Sequence, residues 1–196
     1  MGNVKLILEH DSDIQSPEEW SGWKLWSFST RHRNFKHPKE FGINKVSRDA
    51  MFVFDTINIG IRRKLEAGTA FVCSYFEHGN SLWFLKDSHN ISHNPDFRWD
   101  GVKIAGLLVW TGKAKDCGEN KEKREEHAIS FLKDYTAWAN GEAYYYRIED
   151  METGEELDSC GGYLDSEQFL KEVKCYTDRH DTIIEVSGDA AYLWKE

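Results

Sequence analysis

Hydrophobic and polar positions recur with two different periods along this chain, and the changes of period mark its elements. Val4 to Leu8 is a short apolar run that predicts a first strand. Ser16-Pro17-Glu18-Glu19-Trp20 reads as a helix start. It has a capping hydroxyl, a proline suited to the first helical position, and carboxylates facing the positive end of the helix dipole. Gly22 limits that helix to a turn or two. Lys24 to Ser29 alternates weakly, as a strand does. Arg31 to Arg48 is polar and basic, broken by Pro38 and Gly42, and predicts a loop. From Ile43, apolar residues recur at Val46, Ala50, Val53, Phe54, Ile57, Ile61 and Leu65. That helical spacing predicts one long helix over Asn44 to Glu66, with Gly68 as its left-handed cap. The β-branched residues between Phe52 and Ile61, and Gly60, work against it.

The second half alternates strands and helices more cleanly. Thr69 to Phe76 and Ser81 to Leu85 flank Glu77-His78-Gly79-Asn80, a hairpin pattern. Lys86 to Gly101 predicts a long polar loop. Val102 to Trp110 is apolar on both faces, as a central strand is. A charge run, Lys115 to Glu126, leads into a helix with a buried stripe of Ala128, Phe131, Leu132, Tyr135, Trp138 and Ala139, ended by Asn140-Gly141. Gly141 to Tyr163 predicts an acidic hairpin closing on Asp158-Ser159-Cys160 and a Gly161-Gly162 turn. Asp165, with Gln168 in capping-box spacing, starts a helix with Phe169, Leu170 and Val173 inside. Thr182 to Val186 is a last strand. The expected fold is a single α+β domain over residues 1–196, a mostly antiparallel sheet with inserted helices.

Composition changes this picture in two ways. With 8 Trp, 8 Tyr and 11 Phe, a packed core is assured and disorder is disfavoured. The net charge of −9 is unevenly placed: +2 over residues 1–66, −1 over 67–140, and −10 over 141–196. That balance argues against direct nucleic-acid binding and offers Glu149, Asp150, Glu152, Glu155 and Glu156 as a face for a basic partner. An ordinary solvated acidic surface is the competing reading. Cys73, Cys117, Cys160 and Cys175 fit neither a zinc pattern nor a disulfide scaffold. No signal-peptide pattern opens the sequence and no apolar run reaches spanning length, so a cytoplasmic setting with free thiols and no membrane contact is expected.

No complete catalytic motif appears, and no pattern requires a cofactor. Cys160 can be a nucleophile only if His78 reaches it as a base, with Asp158 or Asp100 orienting the imidazole; the plain alternative is a small apolar cysteine. His89 and His93 share metal-ligand spacing, but their Asn, Ser and Pro neighbours favour turns over a helix. Arg31, Arg33 and Lys36 lie in a basic stretch containing Phe35. With Trp99 and Asp100 they make a candidate site for a small anionic ligand, against the reading of an exposed basic loop. Asp100 also suits holding loop amides.

Several of these segments together resemble a family of uncharacterised proteins carried by bacteriophages and other mobile elements. The resemblance rests on Ser16 to Trp20, on Arg31 to Arg33, and on Glu77-His78-Gly79 where that family has Asp-His-Ser-Gly. It continues through Trp99-Asp100, Tyr135 to Tyr146, and Gly154-Glu155-Glu156-Leu157-Asp158-Ser159-Cys160. The chain departs from the family after Cys160, where Gly161-Gly162-Tyr163 replaces Trp-Gly-Phe/Tyr. It departs again before Trp99, where Asn94 to Arg98 lack a Ser-Cys-Pro element. The resemblance supplies no activity. It implies a phage origin and action in the host cytoplasm. The expected function is therefore a non-catalytic phage accessory protein that binds and modulates a host defence or nucleic-acid-processing protein. The alternatives are a nucleotide-like ligand sponge and a Cys-dependent hydrolase.

Overall fold

A computed structural model describes residues 3–29, 35–46, 52–54, 59–86, 88, 96–180 and 182–194. In chain order the strands are β1 (Asn3–His10), β2 (Trp23–Ser27), β3 (Ile43–Val46), β4 (Phe52–Phe54), β5 (Ala70–His78), β6 (Asn80–Leu85), β7 (Gly101–Trp110), β8 (Tyr144–Asp150), β9 (Glu156–Tyr163) and β10 (Thr182–Ser187). The α-helices are α1 (Pro17–Trp20), α2 (Ile59–Ala67), α3 (Phe97–Asp100), α4 (Lys121–Ala139) and α5 (Ser166–His180). The expected α+β class, with mostly antiparallel sheets, is what the chain adopts. Its contacts group into two compact units, one of Met1–Gln15 with Ala137–Glu196 and the other Ser16–Thr136.

The Ser16–Thr136 unit is built on an antiparallel sheet in the order β2-β7-β5-β6. β7 is apolar on both faces because both faces are covered. On one side Ala105, Leu108 and Trp110 join Trp23, Cys73 and Trp83 beneath Ala128, Phe131 and Leu132 of α4. On the other, Leu107 and Val109 meet Phe28, Ile43 and Ile61. That second layer comes from the segment expected to be one helix over Asn44 to Glu66. The structure corrects this: β3 and β4 form a two-stranded ribbon, and among the described residues of that stretch the helix begins only at Ile59. Val46, Phe52 and Val53 favour extended backbone, and two-residue alternation wins where the helical period looked continuous. The stretch read as a loop also holds structure. Pro38–Phe41 is a 3₁₀ turn capped reciprocally by His37 and Glu40.

The other unit has the sheet order β10-β1-β8-β9, antiparallel except for the β1–β10 pair. Val4, Leu6, Leu8, Tyr144, Tyr146 and Ile148 form its inner face, against Phe169 and Val173 of α5. Asp165 caps α5 as expected, accepting from the Glu167 and Gln168 amides at 3.0 Å. Gly161-Gly162 is not a turn. It lies inside β9, where two residues oppose Tyr145 alone, as in a β-bulge.

Gly106 shows how tightly β2 and β7 approach. A Cβ there would sit 2.6 Å from the Trp26 carbonyl oxygen, which is backbone and cannot swing away. Gly106→Ala should therefore destabilise the Ser16–Thr136 unit by about 1–3 kcal/mol, read as a lower urea midpoint with an unchanged slope.

Candidate functional site

The β8–β9 hairpin sets six carboxylates, Glu149, Asp150, Glu152, Glu155, Glu156 and Asp158, against one cation, Arg147. Its loop is built by Asp150, whose Oδ1 accepts from the amides of Glu152 and Thr153, both at 2.8 Å, and from the Thr153 hydroxyl at 3.1 Å. Gly154 turns the backbone at φ +69°. The amide bonds, Thr153 first, hold the Asp150 carboxyl below the usual carboxylate range. Asp150 is thus occupied by the turn. Glu149 lies on the β-face beside Lys5, its partner across the sheet, and its Oε1 is 3.2 Å from Arg147 Nε. Lys5 also holds Glu185 at 2.8 Å. Glu152, Glu155 and Glu156 remain exposed, Glu156 accepting from the Ser159 hydroxyl at 2.7 Å. The five residues proposed as one partner face therefore divide. Three point acid into solvent; two are committed to the fold.

The thiol end of β9 is arranged by tyrosines. Tyr146 donates to Asp158 Oδ2 at 2.9 Å, and the Cys160 thiol points to the Gly161 carbonyl at 4.0 Å. Burial first, then Asp158 beside Tyr146 and Cys160 beside Tyr163, push both phenols above their usual range. Asp11 reaches across to accept from the Gly162 amide at 2.9 Å. A Cβ on Gly161 would meet that carboxylate at 2.8 Å. Nothing in the sequence beyond the polar Asp11-Ser12-Asp13 after β1 announces this clamp. Cys160 is exposed, and all four cysteines are free.

His78 belongs to the other unit, so the proposed Cys160–His78–Asp158 set spans two units that are described separately. Asp158 is bonded to Tyr146. The carboxylate that orients His78 is Asp100, the alternative named above. His78 Nδ1 lies 2.9 Å from Asp100 Oδ2, joining the tip of the β5–β6 hairpin to the end of α3. The imidazole stacks on Phe76 at 6.2 Å, and Phe76 stacks on Phe97 at 6.0 Å. Beside Asp100, Trp99 is 77% exposed, with the Arg98 guanidinium 5.0 Å from its ring. Asp100 therefore anchors this corner, while Trp99 stands out from it.

Lys36 lies over the Phe41 ring at 5.9 Å. Arg31, Arg33, His89 and His93 lie outside the described residues, as does half of the expected 86–101 loop. Among the described residues no group of three or more His, Cys, Asp or Glu side chains is placed to hold a metal, and no helix is long and apolar enough to cross a membrane. Comparison with family models, with curated proteins and with solved structures returns no match.

The Asp100 hydrogen bond, followed by its charge and that of Asp96, raises His78 above its ordinary 6.5. A raised value means that the contact contributes to stability below about 6.5 and loses that contribution as pH rises through the folded value. Imidazole proton NMR should place the His78 titration above that of a free histidine. Asp100→Asn should bring it down, and an unchanged midpoint in that variant would refute the pairing.

Proposed function

We propose that the protein is a non-catalytic binding protein, phage-encoded and acting in the infected cell, whose acidic unit docks a basic surface on a host protein. The observation that carries this reading is the match between charge and compact units. Met1–Gln15 with Ala137–Glu196 holds 6 Lys and Arg against 18 Asp and Glu, whereas Ser16–Thr136 holds 19 against 16. Acid is therefore concentrated in one folded unit rather than spread along the chain. Such a field steers a partner of opposite sign and suppresses partners of like sign. Glu152, Glu155 and Glu156 on the hairpin are the carboxylates best placed for contact, being exposed and carried on or beside a fixed turn.

A second reading draws on Trp99. An indole this exposed, with a guanidinium on its ring, suits stacking of a small anionic aromatic ligand such as a nucleotide. Thermal-shift measurement of the intact protein against nucleotides tests it. A stabilisation lost in Trp99→Ala supports the stack, and no shift at millimolar nucleotide retires it.

For the leading reading, the intact protein and its Glu152→Gln, Glu155→Gln, Glu156→Gln triple variant are compared as baits in host lysate at low and high salt. The expected result is one partner retained at low salt, lost in high salt, and held about tenfold more weakly by the triple variant. Capture indifferent to both salt and variant, or no capture, would overturn the docking role.

A further inference from the structure

Trp23 is fully buried, and its indole N–H is a donor that cannot act as an acceptor. A buried donor needs a partner, and this one finds His127 on α4, whose Nδ1 lies 3.0 Å from Trp23 Nε1. That contact fixes the state of the imidazole. As the acceptor, Nδ1 must carry a lone pair, which leaves Nε2 as the nitrogen that bears the proton in this contact. His127 also packs edge-on to Trp110 at 5.6 Å, and Trp110 packs edge-on to Trp23 at 5.1 Å. The Trp110 N–H is satisfied elsewhere, by the Lys113 carbonyl at 2.8 Å. His127 is thus the acceptor on which the Trp23 N–H depends, and it is itself exposed to solvent protons.

We propose that the Trp23–His127 hydrogen bond is an acid-sensitive latch that holds α4 on the β2-β7-β5-β6 sheet. A second proton would place an N–H at Nδ1, opposite the indole N–H. Two donors would then face each other, and the imidazolium would have to swing away and leave a buried indole N–H unpartnered.

The charges on the elements meeting there do not offset this. On α4, Lys123 is paired with Glu126 at 2.8 Å, and Arg124 is bonded to the Gly118 and Ala67 carbonyls. On α2, Lys64 binds the Trp110 carbonyl, and on β2, Lys24 binds the Glu18 carbonyl with Glu19 4.0 Å away. β7 brings Lys103, whose carbonyl accepts from Ser74. Among the described residues no carboxylate bonds the His127 ring, in contrast to His78, which Asp100 holds in the form that carries the proton.

The test follows the Trp23 indole N–H resonance of the full chain, and its unfolding in urea, from about pH 8 to about pH 5, the window in which imidazoles change charge. His127→Asn is the control, because its Oδ1 replaces the Nδ1 acceptor without titrating. The latch predicts that the Trp23 resonance shifts and exchanges faster on acidification. It also predicts that the unfolding constant of the intact chain rises about tenfold more than that of His127→Asn. Equal pH dependence in the two proteins, or a Trp23 resonance indifferent to pH, would overturn it. Should His127→Asn not fold, the resonance of the unaltered chain decides alone.

Discussion

A strand with two apolar faces must be covered twice, and the Ser16–Thr136 unit is organised around meeting that demand for β7. α4 supplies one layer. The β3–β4 ribbon and α2 supply the other. Cations then tie the layers at their ends. Lys64 of α2 binds the Trp110 carbonyl at the end of β7, and Arg124 of α4 takes the Ala67 carbonyl at the end of α2. These carbonyls sit at helix and strand termini, where backbone acceptors lack partners in the ladder. Some of the basic surplus of this unit is therefore structural, which is a reason not to read it as a ligand surface by sign alone.

Elements with one dominant local period were legible in the sequence. β7 showed itself by apolar residues in unbroken succession, α4 by its stripe, and α1 and α5 by Ser16 and Asp165 at their caps. The Asn44 to Glu66 stretch misled because apolar residues of a ribbon and a following helix fell by chance into one helical spacing. The β-branched residues carried the contrary information, whereas Gly60, also read as a breaker, lies in the first turn of α2, and tertiary cover decided. At the candidate sites, legibility followed sequence separation. Asp150 turning its own hairpin is local and its chemistry was visible, though its role was read as docking. Asp11 on Gly162 and His127 on Trp23 join residues far apart, and no pattern in either segment anticipates the other.

Sheet edges sharpen the meaning of the acidic hairpin. An open edge invites pairing with another chain unless something closes it. In the β2-β7-β5-β6 sheet, side chains close both outer strands: Glu18 Oε1 accepts the Leu25 amide at 2.6 Å, and Thr136 Oγ1 accepts the Trp83 amide at 3.0 Å. β9 is an outer strand of the other sheet and uses different devices. It carries register shifts opposite Tyr145 and between Ile148 and Glu149, and it is flanked by exposed carboxylates. Both devices resist self-pairing, so part of the acid has a structural reason that requires no partner.

What distinguishes a guard from a docking face is geometry. Repulsion between copies needs only sign, and floppy glutamates on a loose loop would provide it. The hairpin loop is not loose. Three hydrogen bonds to one Asp150 oxygen fix the backbone at Glu152 and Thr153, and the Asp150 amide closes the loop on the Glu155 carbonyl at 2.9 Å. Glu152 and Glu155 are thereby held at set positions, with their side chains free in solvent. A preordered backbone reduces the entropy lost when a partner is engaged and adds nothing to simple repulsion. That difference favours the proposed docking role of the acidic hairpin over simple repulsion between copies.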